Sequence, residues 1–281
     1  MLQRQKSFTE TGPALYLVPT PVGNLSEMTP RAVEVLNSVD VIACEDTRTS
    51  GQLLKHFGIH KRLIACQNFN EESSAIGIVN LLEEGNSVAL ISDAGYPLVS
   101  DPGQRVVFDV REAGYRVIPL SGCSAFLNAL VASGLVVQPF IFIGFLPSIE
   151  NERKKKLVEY ADYPMTLVFY EAPHRIAKTL RNMEEVLGER QCVIARELTK
   201  LHEEFLRGSI SELLEVADDL KGEMVIVCEG CAKETETYSD EQLRQMVDEA
   251  VEAGTSRSKA VKEVAQKTGV SKNRIYALVH G

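Results

Sequence analysis

Residues 87–103, Ser-Val-Ala-Leu-Ile-Ser-Asp-Ala-Gly-Tyr-Pro-Leu-Val-Ser-Asp-Pro-Gly, decide how this chain folds. Residues 87–91 form a short apolar run, as expected of a strand buried on both faces. The next twelve residues carry two glycines and two prolines, which force a fixed, exposed turn. The same strand-then-turn pattern recurs on either side. Residues 15–18 run into Pro19-Thr20-Pro21-Val22-Gly23-Asn24-Leu25, and residues 116–119 into Pro119-Leu120-Ser121-Gly122-Cys123-Ser124-Ala125. A further strand is expected at 39–44. Helices separate these runs. Thr29-Pro30 supplies an N-cap and a first-turn proline for residues 31–36, and Asp101-Pro102 does the same for a helix ending near Gly114. Gly58 and Gly85 close two others. Alternation of this kind predicts an α/β domain with a parallel sheet. Ligands of such sheets bind outside the carboxyl ends of the strands, where the three small-residue loops fall.

The alternation repeats further on. A small-residue helix at 122–134 leads through residues 135–139 into strands expected at 140–145, 165–170, 191–196, 204–207 and 223–228. Helices are expected at 150–160, 173–187 and 209–220, the last opening on a Ser209…Glu212 capping box. The domains predicted are therefore a flexible N-terminus at 1–13, an α/β domain at 14–134, a second at 135–232 and, after a polar linker at 232–237, a helical segment at 238–281. Its helices are expected at 240–253, 258–267 and 272–279. Ala265, Gly269 and Ile275 have helix-turn-helix spacing, with Ser271 as N-cap. A plain three-helix cap is the competing structural reading.

Composition fits a globular protein: 281 residues, 44% hydrophobic, 25% charged, with mean hydropathy −0.06. No apolar run approaches the length of a membrane span, and residues 1–11 lack the apolar centre of a signal peptide. Six cysteines include a single CxxC pair, Cys228 and Cys231, so reduced thiols, a cytoplasmic location and no metal site are expected. The net charge of −9 is uneven. Residues 255–281 hold six basic side chains against Glu263, a tail of +5 on a body of −14, which predicts a polyanionic partner for the tail.

Absent motifs narrow the chemistry. There is no GxxxxGK[ST] phosphate loop, no GxGxxG after the first strand, no HExxH and no GxSxG. Phosphate-loop nucleotide binding, a dinucleotide fold and the common hydrolases all lose their usual support.

Four stretches instead resemble the tetrapyrrole (corrin/porphyrin) methylase superfamily, and within it the enzymes that methylate small-subunit ribosomal RNA. They are Pro19–Leu25, Glu45-Asp46-Thr47-Arg48, the 92–103 loop and Tyr170-Glu171-Ala172-Pro173-His174-Arg175, and the likeness extends over nearly the whole chain. It implies two α/β domains of the tetrapyrrole methylase type, a homodimer, and S-adenosylmethionine in an interdomain cleft. It also implies 2′-O-methylation of a cytidine ribose in the decoding region, on free 16S RNA or the assembled 30S subunit. Carried over residue by residue, cofactor contacts fall on Pro19, Pro21, Asp93, Ala94, Gly95, Leu98, Val99, Ser121, Gly122, Ser124, Ala125, Tyr170 and Ala172. The prolines of the first loop stand where porphyrinoid enzymes carry glycine, and Cys123 stands where proline is usual. Two alternatives follow: a porphyrinoid C-methyltransferase within the same fold, and a ligand-sensing DNA-binding regulator built around the tail.

Methyl transfer to a hydroxyl needs alignment and a proton acceptor. Glu45, Asp46, Glu171 and His174 follow predicted strands and are candidate bases; Lys200 is another if burial lowers its pKa. Arg48, Arg175, Arg196, Lys272 and Arg274 are candidate RNA contacts, guanidinium being matched to phosphate geometry. Each has a structural counterpart reading: Asp46 as a helix cap, Arg48 as half of a surface ion pair, His174 as a first-turn helix residue.

Overall fold

The computed structural model describes residues 4–67, 69, 71–232, 238–268 and 270–280. Most of the polar linker and the turn glycine Gly269 lie outside the described residues. Residues 1–231 form one compact unit and 232–281 another.

Two five-stranded sheets build the larger unit. The first orders β1 (Ala14–Val18), β2 (Val41–Cys44), β3 (Arg62–Ala65), β4 (Val88–Ile91) and β5 (Arg116–Pro119) as β3-β2-β4-β1-β5. Every pairing in it is parallel. Helices α1 (Pro30–Ser38) and α2 (Thr47–His56) contribute to one of its cores. Helices α3 (Glu71–Glu83) and α4 (Gln104–Glu112) contribute to the other. β2 and β4 are buried throughout, which explains their uninterrupted apolar sequences. β3 was absent from the sequence expectations because it is an edge strand, half exposed, with polar and small residues at its ends.

The second sheet orders β6 (Phe140–Phe145), β7 (Thr166–Glu171), β8 (Gln191–Arg196), β9 (Glu204–Ser209) and β10 (Met224–Cys228) as β6-β7-β10-β8-β9. Only β6 and β7 run parallel; the rest are antiparallel. Helices α6 (Glu150–Val158), α7 (Ile176–Leu187) and α8 (Ile210–Val216) share its main core. Helix α5 (Ala125–Ser133) packs Ala129 and Leu130 against Val168, Val193 and Val225. The last helix of the first α/β stretch thus belongs to the second sheet. It starts at Ala125 rather than 122, with Ser124 extended as its N-cap, and ends on Gly134 at φ +84°.

Several other expected ends shift for local reasons. α7 begins at Ile176, because Pro173 and His174 stay in a turn. α8 ends at Val216 in a 3-10 turn, and its Ser209–Glu212 capping box is present. α4 does not start at Asp101-Pro102. Its N-cap is Gly103 at φ +130°, and its free amides are met from α3: Glu71 Oε1 accepts from the backbone N–H of Gly103 at 2.9 Å and of Arg105 at 2.7 Å. A distant side chain thereby does the capping. The N-terminal segment, expected to be flexible, is tied to the edge strand β5. The Gln5 amide exchanges hydrogen bonds with the backbone N–H and C=O of Val117.

The smaller unit packs α9 (Asp240–Glu252), α10 (Arg257–Thr268) and α11 (Lys272–His280) around Leu243, Val247, Val261, Val264 and Ile275. Ser239 and Gln242 close a capping box, and Ser271 Oγ accepts from the backbone N–H of Arg274. Among the described residues no helix is long and apolar enough to cross a membrane.

Losing the Glu71 cap strands two helix amides, so Glu71→Ala should cost about 1–2 kcal/mol. Urea unfolding measures this, and an unchanged midpoint would show that Gly103 alone suffices to start α4.

Candidate active site

The strand order β4-β1-β5 sets three carboxyl ends side by side, so the loops at 19–25, 92–103 and 119–125 must be neighbours. Their backbones are joined directly. Thr20 and Gly95 form an antiparallel bridge, Thr20 N–H donating to Gly95 O at 2.9 Å and Gly95 N–H to Thr20 O at 3.0 Å. Thr20 Oγ1 donates to Ser92 O and Ser92 Oγ to Gly95 O. Gly122 N–H donates to the Tyr96 hydroxyl at 3.0 Å. Gly95 holds φ +80°, a conformation that disfavours any side chain. A Cβ on Gly122 would lie 2.7 Å from Pro19 Cβ, so that glycine is what lets the first and third loops close.

The second sheet reaches the same place. Thr199 Oγ1 donates to Val22 O at 2.8 Å, and the Lys200 stem lies against Gly23, where a Cβ would come within 2.6 Å of it. Leu98 (φ +72°), Ser100 (φ +68°), Glu197 (φ +50°) and Thr199 (φ +67°) all have left-handed backbones without being glycine. Each costs on the order of 1–3 kcal/mol, and such strain gathers at functional sites.

Between the sheets lies a cleft of about 410 Å3. Glu45, Asp93, Ala94, Gly95, Val99, Ser124, Ala125, Tyr170 and Ala172 line it, all of them singled out from the sequence. Pro19, Pro21, Leu98, Ser121 and Gly122 are not on its wall. Pro19 and Gly122 build the loop contact behind it, Pro21 is buried, and Leu98 turns into the core of the first sheet. Asp101, Leu198, Glu223 and Met224 line the cleft without having been expected. Asp101 was read as a helix cap. The 197–200 turn has no sequence signature, since nothing local marks non-glycine residues for positive φ.

The wall is acidic. Burial, with the charges of Asp93 and Asp46, pushes the Glu45 carboxyl up; burial and the charge of Asp46 do the same to Asp93. Asp101 is pushed up to about 6 by burial and by the charges of Glu45 and Asp93. Burial raises Tyr170 to about 12, helped by the charge of Asp101. Among the described residues no Lys, Arg or His lines this cleft. Small side chains and a close backbone on one wall, with the carboxyl groups of Glu45, Asp93, Asp101, Glu171 and Glu223 around the cleft, suit a nucleoside-like cation.

Other candidates are engaged elsewhere. Asp46 caps α2, and its side-chain hydrogen bond with Arg48 holds its carboxyl below the usual range. Arg48 thus pairs with Asp46 rather than Glu45 and is largely exposed. Lys200 does not meet the condition set for a base: burial alone would lower it, but Glu223 at 2.9 Å and Glu197 at 3.1 Å outweigh burial and raise it. Arg175 is turned inward, 3.1 Å from the buried Glu171 and donating to Leu146 O and Pro147 O, so it props the chain after β6. Arg196 pairs with Glu204 and Lys221 O. Glu171, also expected from the sequence, does line the cleft, but its carboxylate accepts from Ala172 N–H and the Thr179 hydroxyl. His174 is exposed and off the cleft wall. Lys272 and Arg274 are exposed on the first turn of α11, in the smaller unit, with Arg274 2.8 Å from Asp240.

A profile of the Tetrapyrrole (Corrin/Porphyrin) Methylases matches residues 14–214, which cover the first sheet and every strand of the second except β10. The chain belongs to this family. It is similar along its whole length to Ribosomal RNA small subunit methyltransferase I of Bacillus subtilis (strain 168), at 43% identity over 100% of this chain and 99% of that protein. The protein of the same name from Vibrio cholerae serotype O1 is 44% identical over 96% of each. Among solved structures, the methyltransferase CobJ superposes with TM-score 0.61 at 18% identity, covering 78% of this chain and 95% of that one. Uroporphyrin-III-C-methyltransferase from Thermus thermophilus gives 0.55 at 19%, covering 78% and 92%. These two share the fold.

As a member of this family the chain is a methyltransferase whose methyl donor is S-adenosylmethionine. The cleft fits that donor: its acidic wall suits a sulfonium and an ammonium, and Gly95 with Ala94, Ser124, Ala125 and Ala172 leaves backbone within reach of a nucleoside. Gly122→Ala should push the first and third loops apart. Overpacking costs about 1–3 kcal/mol, so calorimetry should find S-adenosylmethionine bound about tenfold more weakly or worse. Unaltered affinity would mean the contact behind the wall does not shape the cleft.

Proposed function

We propose that this chain transfers a methyl group from S-adenosylmethionine to the 2′-oxygen of a cytidine ribose in the decoding region of small-subunit ribosomal RNA. Relatives at 43–44% identity over nearly their full length carry a small-subunit ribosomal RNA methyltransferase name, and that likeness is the observation supporting the reading most. In this reading the 14–134 and 135–232 stretches serve as the two lobes of the cleft, and a homodimer in the cytoplasm acts on free RNA or the assembled 30S subunit. Asp93, Ala94, Gly95, Val99, Ser124, Ala125, Tyr170 and Ala172 hold the donor, with Pro19, Pro21, Leu98, Ser121 and Gly122 supporting the wall from behind. The donor supplies an electrophilic methyl carbon on sulfur. The protein's own work is to align the ribose oxygen with it, exclude water and receive the proton.

Charge supports a division of labour. An acidic cleft repels phosphates, so only the ribose enters it while the RNA backbone stays outside. Exposed Arg48 is suited to meet phosphate once Asp46 yields it. The +5 tail supplies further cations, among them Lys262, Lys267 and Lys272.

Purified protein with methyl-labelled S-adenosylmethionine should place label on a cytidine ribose of small-subunit RNA lacking the mark; label on a base would refute the chemistry. Replacing Lys262, Lys267 and Lys272 together by Ala should weaken RNA binding and flatten its salt dependence by about two to three in the log–log slope. Affinity for S-adenosylmethionine should stay unchanged, and RNA binding equal to wild type would remove the tail from the interface.

A further inference from the structure

A ribose cannot enter this cleft alone, because its base is bonded to the carbon next to the one that carries the reacting hydroxyl. The acidic wall turns phosphates away, so a nucleotide still stacked in a helix cannot bring its ribose to the donor and must swing out of the stack. A base swung out in this way loses its stacking neighbours. Aromatic side chains are what RNA-binding sites put in their place.

Among the described residues three aromatic side chains line the cleft: Tyr96, Phe145 and Tyr170. Tyr96 is half-buried, and its hydroxyl accepts from Gly122 N–H within the loop framework. Tyr170 is half-buried too and meets Phe142 edge-on, with centroids 5.0 Å apart and planes at 73°. Phe145 is 55% exposed. Its ring is tilted against Tyr170, with centroids 5.4 Å apart and planes at 56°, so the two do not stack.

The local fold puts Phe145 there. Along β6, Ile141 and Ile143 pack into the core shared with α6, α7 and α8, whereas Phe140 and Phe142 pack on the opposite face with α5. Strict alternation would send Phe145 the way of Ile143. A β-bulge intervenes: Phe142 pairs with Val168, but Gly144 pairs with Phe169 and Phe145 with Tyr170. Phe145 therefore shares the face of Phe142, Val168 and Tyr170, and lines the cleft. Bulges re-aim side chains in this manner beside active sites. Gly144 permits this one, with φ +75° and Ser100 Oγ only 2.9 Å from where a Cβ would lie. The chain beyond is anchored. Leu146 is buried, Arg175 donates to Leu146 O and Pro147 O, and Arg153 donates to Pro147 O and Ser148 O. An exposed ring thus stands on backbone fixed from both sides.

We propose that Phe145 is the stacking platform for the base of the nucleotide being methylated. The inference rests on the ribose-methylation reading. Phe145 holds the swung-out base against the second sheet while the ribose reaches towards the donor on the loops of the first. The ring carries no hydrogen-bonding group, so it fixes where the base lies without reading which base it is.

The test uses the full-length protein and small-subunit RNA lacking the mark. Phe145→Ala should lower kcat/KM for RNA about 10- to 100-fold, mainly through KM, and leave the Kd for S-adenosylmethionine within about threefold of wild type. Phe145→Tyr should keep nearly the wild-type rate. Phe145→Leu, apolar but without a ring, should stay close to Phe145→Ala. Stacking releases no counterions, so the deficit should be the same at low and high salt. Independently of turnover, ultraviolet irradiation of the wild-type complex should crosslink Phe145 to the cytidine that receives the methyl group. Wild-type kcat/KM in Phe145→Ala, full activity in Phe145→Leu, or loss of donor binding would each overturn the assignment. Wild-type protein that labels no ribose would instead overturn the functional reading, before any variant is made.

Discussion

Thr20 and Gly95 exchange two backbone hydrogen bonds across the carboxyl ends of β1 and β4, and the cleft is organised around that exchange. Parallel strands leave their terminal loops free to splay, and here they are bound to one another by main chain. The exchange holds because its neighbours are also satisfied: Thr20 Oγ1 on Ser92 O, Ser92 Oγ on Gly95 O, Gly122 N–H on the Tyr96 hydroxyl. Buried polar networks rigidify when every member is paired. With the wall fixed, the second sheet docks through Thr199 to Val22, and the strain in residues 197–200 is held by that contact. Preorganisation of this kind is what methyl transfer needs, since alignment supplies much of its rate.

Electrostatics divides the molecule in two. The cleft gathers Glu45, Asp93 and Asp101; the charge of Asp93 helps to raise Glu45, and the charges of both help to raise Asp101. Such a wall attracts a cationic donor and disfavours the phosphates of a nucleic acid. Basic residues are concentrated after residue 255, in the separate helical unit. The overall charge of −9 conceals this arrangement.

The loops were legible in the sequence because glycine and proline write backbone conformation directly, and β2 and β4 because full burial leaves apolar runs. β3 was not, being an edge strand with only Leu63 and Ile64 to mark it. The start of α4 was misread because Asp101-Pro102 imitates a cap, whereas the real cap comes from Glu71, some thirty residues earlier in the chain. Asp101 was missed for the same reason. Arginine assignments fared least well: a guanidinium that fits phosphate fits a carboxylate or a carbonyl equally, and Arg175 and Arg196 are spent on those. Non-glycine residues at positive φ, such as Glu197 and Thr199, leave no local trace, so the part of the cleft they shape could not be foreseen.

The most direct measurement of the central claim is a map of ribose methylation on small-subunit RNA from cells with and without this protein. One cytidine in the decoding region should lose its 2′-O-methyl group in the absence of the protein and regain it on complementation. An unchanged ribose map, or the loss of a base methyl instead, would contradict the account.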